Sequence, residues 1–552
     1  MKIIGLHIHD ASASLIDNKL VYAISEERIS RVKNHTIPYL AIEKILADQK
    51  LNKDDIDIIS ISNFKLIAEA VINIYKTRDL NNLNFSNKMK INHRLQFIIA
   101  ILKEKILGIK FSAENEIQNI FKNKFNNAKV EFYGHHLSHA ASAYYASFKD
   151  SIILTQDDKL FAGAYLKDNI LSTYRENKYT STSTLSLANI YATITHLLFK
   201  RNKHEKITLA AYKKYINFND LIELDINFSD KQNFKSFFSD LFHFLNEFFK
   251  KKSYFFIKDM IKNESKEDIA FSVQKLCENT MVDYVNNLYK EKKFKNICLA
   301  LFANVRINQK IEELDFVENL FVYPNMDGLA VGSAYLSCVH NNIELQDNNS
   351  MYLNEEDSSN LESILKFSDK VVWEKKENFE KEIAQLIADK VIVYFSKMEF
   401  PRALCHRSML IDTREREVND IVNKRLKRTE FMPFAPVILE EKLEDYFENI
   451  NKKLAMNYMT ITADVKKEMV EKIPAVVHVD NTARPQTINQ DNNPIVYNIL
   501  NEYNKITIPL FVNTSFNIHE EPIVSSYEDA IKSLLDSCVD VLCFEDLFVK
   551  VK

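Results

Sequence analysis

Six glycines serve the whole of this 552-residue chain, where average usage of about 7% would supply about 39. Glycine takes a positive φ without a Cβ clash, and it lets backbone N–H groups come close to a phosphate. A fold made from this chain must turn most of its tight corners with L-residues. The absences are not scattered at random, and their pattern becomes visible against the motifs below.

In other respects the composition is that of an ordinary globular protein, with 46% hydrophobic residues, 27% charged residues and a formal net charge of −4. So even a balance does not call for nucleic acid or a membrane surface. No apolar run reaches the roughly 18 to 20 residues of a membrane span. The six cysteines form no CxxC pair and read as reduced packing residues. Met1-Lys2-Ile3-Ile4 runs straight into structured sequence with no signal peptide, so the expected setting is cytoplasmic. The length exceeds one ordinary core and predicts more than one domain.

Residues 2–8 (KIIGLHI) predict a buried strand, and 12–25 a hairpin turning at Asp17-Asn18-Lys19. Further strands are expected at 56–62, 129–133, 151–156, 161–166, 296–303 and 319–323. Helical patterns separate them, including 94–107, 234–250 and 269–290. Strands alternating with helices predict an α/β fold, and two such series around a helical insert predict a duplicated one. A polar stretch near 341–360 reads as a linker. Beyond it, a helix at 378–390, a strand at 390–395 and apolar runs at 474–479, 506–512 and 539–549 make a second α/β unit.

The chemistry begins at Gly134-His135-His136-Leu137-Ser138-His139-Ala140-Ala141-Ser142. Its small residues favour a helix, which puts His135 and His139 on one face a turn apart, a spacing that suits two imidazoles on one metal ion. Any surface helix can carry such a pair, so the neighbouring motifs decide. They run in order through the chain. His9-Asp10-Ala11-Ser12-Ala13 and Glu26-Glu27-Arg28-Ile29-Ser30-Arg31-Val32-Lys33 come first. Leu154-Thr155-Gln156-Asp157, Leu209-Ala210-Ala211-Tyr212, Asn304-Val305-Arg306-Ile307-Asn308 and Asp327-Gly328-Leu329-Ala330-Val331-Gly332 follow. Then come Pro401-Arg402-Ala403-Leu404 with Arg407-Ser408, Lys427-Arg428-Thr429-Glu430, and Pro433-Phe434-Ala435-Pro436. Val479-Asp480-Asn481-Thr482-Ala483-Arg484-Pro485-Gln486 and Asn513-Thr514-Ser515-Phe516-Asn517 close the series. Together they resemble the NodU/CmcH/TobZ-type O-carbamoyltransferases over almost the whole chain.

The resemblance implies an α/β protein with a duplicated actin/hexokinase-like (ASKHA), TsaD-like domain over 1–345. A helical insert near 213–268, a linker at 346–375 and a YrdC-like α/β domain over 376–552 complete it. By the same resemblance, the second domain joins carbamoyl phosphate and ATP into carbamoyl adenylate. The first, with a divalent metal such as Fe(II), passes the carbamoyl group to a hydroxyl of a small-molecule acceptor: a sugar, an antibiotic or a glycan. His135 and His139 with Asp327 would be the two-histidine, one-carboxylate metal set, able to polarise the carbamoyl carbonyl. His9 would be the general base, since an imidazole suits proton transfer near neutrality; a structural His9 capping its hairpin is the alternative. Lys33, Asp157 and Asn304 would contact the carbamoyl adenylate. Arg402, Arg407, Lys427, Arg428 and Arg484 would bind ATP and carbamoyl phosphate, guanidinium forks matching phosphate oxygens, with Asn513 and Ser515 at a strand end beside them. Exposed arginines such as Arg414 and Arg425 read as plain surface charge. A threonylcarbamoyl-type enzyme acting on tRNA and a nucleotide-binding relative without turnover stand as alternatives, although no basic stripe speaks for RNA. The sequence names no acceptor and leaves monomer and homo-oligomer both open.

The missing glycines fall inside these motifs. The family's HEGKxxGLAAYG stands here as 204–212 (HEKITLAAY), and LAGGxxxN as 299–304 (LALFAN). EFGPRAL becomes Glu399-Phe400-Pro401-Arg402, TGIP becomes Thr507-Ile508-Pro509, and Asp157 is followed directly by Asp158-Lys159. Each gap is a loop where backbone N–H groups would approach phosphate. Side chains on both sides of each gap are kept, so we expect the native polypeptide to carry glycines here, a codon read as glycine having been skipped in translating the gene. A true glycine-poor relative is the competing reading, and the intact mass of the native protein separates the two.

Overall fold

Strands rich in Ile, Leu and Val form where the pattern predicts them. In the computed structural model the described residues are 1–8, 11–33, 38–63, 113–125, 128–148, 150–156, 160–167, 170–175, 191, 194, 197, 257–300, 304–324, 328–345, 350–354, 366–389, 391–396, 398–400, 402–427, 434–450, 453–518 and 521–552. Lys2–His7 (β1), Ser12–Asp17 (β2), Lys19–Ser25 (β3), Ile58–Asn63 (β4) and Lys129–Gly134 (β5) pair in the order β3-β2-β1-β4-β5. β2 is antiparallel to both its neighbours, whereas β1, β4 and β5 run parallel. The hairpin turns at Asn18, whose φ of 61° is one that asparagine tolerates.

A second sheet repeats this plan. Ser151–Gln156 (β6), Leu160–Lys167 (β7), Ile170–Arg175 (β8), Asn296–Ala300 (β9) and Asn319–Val322 (β10) lie in the order β10-β9-β6-β7-β8. β7 is antiparallel to β6 and β8, and β9 is parallel to β6 and β10. The two sheets thus share one strand plan, which is the duplication that the alternation of strands and helices predicts. β8 is the strand of this sheet that the periodicity did not predict, its ILSTYR mixing polar and apolar residues without alternation. The expected helices at 94–107 and 234–250, and most of the insert, lie outside the described residues.

In the C-terminal half Val371–Lys375 (β11), Ile392–Phe395 (β12), Arg407–Ile411 (β13), Ala435–Leu439 (β14), Gln486–Ile488 (β18), Leu510–Ser515 (β19), Val541–Phe544 (β20) and Leu547–Val551 (β21) form an eight-stranded mixed sheet. Its order is β11-β21-β20-β12-β13-β19-β14-β18. A small sheet of Phe447–Glu448 (β15), Ala463–Val465 (β16) and Thr482–Ala483 (β17) accompanies it. The helices Phe379–Ile387 and Pro494–Ile506 bury Ile383, Ile387, Val496 and Tyr503 in one core with Ile392, Tyr394 and Phe511. Two expectations shift here. The linker 346–375 ends sooner, because Val371–Lys375 pairs with β21 as an edge strand. The apolar run 474–479 is irregular: Val476 is buried while Val479 is 60% exposed.

Four helices position the functional residues: His135–Tyr144 (α1), Lys266–Lys292 (α2), Val305–Glu312 (α3) and Leu329–His340 (α4). The chain divides into two compact units, Met1–Tyr145 with Asp327–Glu355, and Ala146–Met326 with Glu356–Lys552. The second sheet of the duplicated fold thus groups with the C-terminal sheets. Specific bonds account for this. Asn308 on α3 donates to the Thr460 carbonyl (2.8 Å), Thr462 Oγ1 donates to Gln309 Oε1 (2.6 Å), and Arg306 lies 3.6 Å from Asp464 and 3.8 Å from Asp480. All six cysteines are unbridged and buried. No helix among the described residues is long and apolar enough to cross a membrane.

Candidate functional site

In the first unit β5 runs into α1 without a loop. Gly134 closes the strand and, still extended at φ −63° and ψ 142°, is the residue before the helix, so His135 opens its first turn. The rings of His135 and His139 lie 4.7 Å apart at 89°. His139 is buried, and His135 is half-buried. His7, which sequence reasoning passed over, is buried at the end of β1 with its ring 6.1 Å from that of His135. In register, His7 pairs with Ser62 and Ser62 with Tyr133, so the parallel strands bring both histidines to their common C-terminal edge. The clue to His7 was Gly5-Leu6-His7-Ile8-His9, a second histidine two places before the one singled out.

Backbone meets backbone around this edge. A Cβ on Gly332 of α4 would lie 1.7 Å from the Ser138 carbonyl oxygen of α1, and one on Gly5 of β1 would lie 2.0 Å from the Ala330 oxygen. A buried carboxylate completes the lock. Glu131 on β5 accepts from Ser337 Oγ (2.6 Å) and Asn341 Nδ2 (3.1 Å) of α4 and its end, from Tyr133 (2.8 Å), and pairs with Lys129 (2.7 Å). Burial works against its charge, but these donors outweigh it and take the Glu131 carboxyl down to about 2. A near-perpendicular pair of imidazoles a turn apart fits two adjacent positions on a divalent ion. Among the described residues no three His, Cys, Asp or Glu side chains converge on one point. His9 and Asp327 lie outside the described residues. Lys33 is exposed. In the same segment Glu26 is buried and accepts from the N–H groups of Leu40 (3.0 Å) and Ala41 (2.7 Å), burial pushing its carboxyl up to about 7.

In the second unit the 402–407 loop is pinned by side chains from three directions. Buried Glu399 accepts from the N–H groups of Leu404 (2.8 Å) and Arg407 (3.1 Å). Asn513 on β19 donates to the Ala403 carbonyl (3.2 Å) and to Gln486 Oε1 (2.7 Å), and Gln486 on β18 donates to the Leu404 carbonyl (3.4 Å). Arg402, half-buried, donates to the carbonyl of Met459 (3.2 Å). Burial, then the repulsion of Arg484 beside it, pulls the Arg402 guanidinium down to about 9; burial also lowers that of Arg484. Arg407 is buried, and its guanidinium donates to the carbonyls of Ser396 and His406, tying the loop to the end of β12. Ser515 donates to Asn517 Oδ1 (2.6 Å). Lys427 is exposed with φ 54°, just past the helix Glu417–Arg425. Arg428 lies outside the described residues. Glu399 and Gln486 were not singled out from the sequence, although both sit inside quoted motifs.

Asn304 caps α3, its Oδ1 accepting from the Ile307 N–H (3.3 Å), and its amide pairs with that of Gln274 on α2. Asp157 lies outside the described residues.

Known proteins match this layout. The family model for the carbamoyltransferase N-terminus matches residues 2–335, and that for the carbamoyltransferase C-terminus matches 383–551. An uncharacterized protein of Methanocaldococcus jannaschii is 30% identical over all of both chains, in an alignment of 621 positions. The nodulation protein NolNO of Sinorhizobium fredii is 25% identical, covering 98% of this chain and 79% of its own. A ROK hexokinase of Thermus thermophilus superposes on 62% of this chain and 99% of its own at a TM-score of 0.31 and 10% identity. With both halves matched in order, the chain belongs to the carbamoyltransferase family.

Proposed function

We propose that this carbamoyltransferase is ATP-dependent, takes its carbamoyl group from carbamoyl phosphate, and delivers it to a hydroxyl of a small-molecule acceptor. The observation that carries the first two parts is the pair Arg402 and Arg484. Two guanidinium groups share a half-buried corner where burial works against both charges and Arg484 adds its repulsion to Arg402. A phosphate dianion there offsets both, and planar forks engage its oxygens two at a time. Arg407, Asn513, Gln486 and Glu399 act behind them by holding the loop, with Lys427, Arg428 and Ser515 as further candidate contacts. In the adenylation reaction water first cleaves the P–O bond of carbamoyl phosphate, giving inorganic phosphate and carbamate, and a carbamate oxygen then attacks the α-phosphorus of ATP. Pyrophosphate leaves, and carbamoyl adenylate remains.

In transfer, the acceptor oxygen attacks the carbamoyl carbon, its proton passes to a base, and AMP leaves. His9 is the proposed base, with Lys33, Asp157 and Asn304 holding the adenylate. His135 and His139, with Asp327, are the proposed holders of a divalent ion such as Fe(II). Bound there, that ion supplies Lewis acidity toward the carbamoyl oxygen.

Pyrophosphate release from ATP tests the reading without knowledge of the acceptor. The expected result is release that depends on carbamoyl phosphate and falls at least about a hundredfold in Arg402→Ala. A folded protein that binds ATP yet releases no pyrophosphate would be a nucleotide-binding relative without turnover, and the proposal would fail.

A further inference from the structure

Behind Asn304 runs a chain of polar groups with a fixed direction. Glu278 on α2 is 2% exposed, and its carboxylate is ion-paired with Lys275 at 2.8 Å. Its other oxygen accepts from Gln274 Nε2 at 3.0 Å. An acceptor at that point dictates which end of the Gln274 amide is nitrogen. The same Nε2 also donates to Asn304 Oδ1 at 3.2 Å, and Gln274 Oε1 accepts from Asn304 Nδ2 at 2.9 Å. Asn304 Oδ1 receives the Ile307 N–H as well, at 3.3 Å. Both acceptor directions of Oδ1 and one Nδ2 hydrogen are thereby engaged. The group Asn304 can turn toward a ligand is its second Nδ2–H, a donor.

We infer that Gln274 is a positioning residue which, oriented by Glu278, presents Asn304 to an adenylate as a hydrogen-bond donor. The inference rests on the adenylate reading above. Toward the phosphoryl and carbonyl oxygens of an adenylate, all acceptors, an Asn304 amide turned the other way would set oxygen against oxygen.

Binding of 5′-O-sulfamoyladenosine, a stable adenylate mimic, to the full chain tests this by calorimetry, with thermal unfolding followed alongside. Asn304→Ala and Gln274→Met should each weaken binding about tenfold. The double variant should be no weaker than Asn304→Ala alone, because Gln274 acts only through Asn304. Glu278→Gln is isosteric and removes the direction of the chain while keeping its size; it should weaken binding about threefold, an effect absent when Asn304 is Ala. It carries the test if Gln274→Met does not fold. Additive losses, or unaltered binding in both Gln274→Met and Glu278→Gln, overturn the positioning role and leave the adenylate reading standing. Unaltered binding in Asn304→Ala removes Asn304 from the adenylate site and the positioning role with it, while pyrophosphate release by the unaltered chain still judges that reading separately.

Discussion

The histidine edge of the first unit and the arginine loop of the second are built by opposite means. Four of the chain's six glycines lie on the elements of the histidine edge: Gly5 on β1, Gly134 just before α1, Gly328 just before α4 and Gly332 within it. Gly5 and Gly332 let β1, α1 and α4 touch through their backbones. The arginine loop and its neighbours turn instead on L-residues: Cys405 at φ 81°, Met459 at 56°, Asn481 at 58° and Lys427 at 54°. Cys405 stands where the family's GPRALG pattern has its second glycine. The left-handed region costs an L-residue about 1 to 2 kcal/mol. The first region uses glycine for close approach, and in the second the loop that carries Cys405 is held by backbone N–H groups donating to Glu399 and by Asn513 and Gln486 donating to its carbonyls.

This difference predicts where the molecule breaks most easily. Gly332→Ala places a methyl group against the Ser138 carbonyl, a backbone atom that cannot rotate away. We expect a loss of about 3 kcal/mol or more, read by chemical denaturation, with α1 displaced from α4. A stable Gly332→Ala protein would show that the helices can slide, and that the close crossing is incidental.

Glu131→Gln should be the next largest effect, about 2 kcal/mol, because the pairing with Lys129 and the bonds from Ser337 and Asn341 lose their charge. The pH dependence has a definite sign. The Glu131 carboxyl is lowered from 4.5 to about 2 in the folded protein. Its contribution is therefore present in full above the ordinary range near 4.5, and is lost as pH falls from there toward 2. Stability measured between pH 6 and about 3 should fall more steeply in the unaltered chain than in Glu131→Gln. Parallel curves would mean that other carboxylates set the acid limb.

Much of this was legible in the sequence, for a physical reason. The strands are short segments rich in Ile, Leu and Val, and the hairpin has an asparagine in its turn, so β1 to β7, β9 and β10 could be read directly. The pairing of His135 with His139 follows from helical spacing alone. Long-range partners were not legible. His7 reaches His135 only through strand register, and Glu131 meets Ser337 and Asn341 across 206 and 210 residues. Nor could spacing say that Arg407 is spent on backbone carbonyls while Arg402 and Arg484 oppose each other. All three are arginines in the motifs quoted above, and burial by distant β-strands separates their roles. The grouping of the second sheet with the C-terminal sheets depends on α3 meeting Thr460 and Thr462, a contact that no local pattern encodes.

The smallest effect sharpens the comparison most, because it separates strain from chemistry. Lys293 and Lys427 are both exposed, both follow a helix, and both hold positive φ, 60° and 54°. Each donates its backbone N–H to a carbonyl of the helix before it, Lys293 to Tyr289 at 2.8 Å and Lys427 to Lys424 at 3.2 Å. Glycine at either position relieves the left-handed conformation and should raise stability by about 1 kcal/mol. Only one of the two stands among the proposed anion-binding residues. Lys293→Gly should gain stability with pyrophosphate release unchanged, whereas Lys427→Gly should gain the same stability and release pyrophosphate more slowly at low carbamoyl phosphate. Equal gains with equal activity would mark Lys427 as an ordinary helix end whose strain serves no ligand. A stability loss in Lys427→Gly would mean that its side chain repays the strained turn through contacts within the protein.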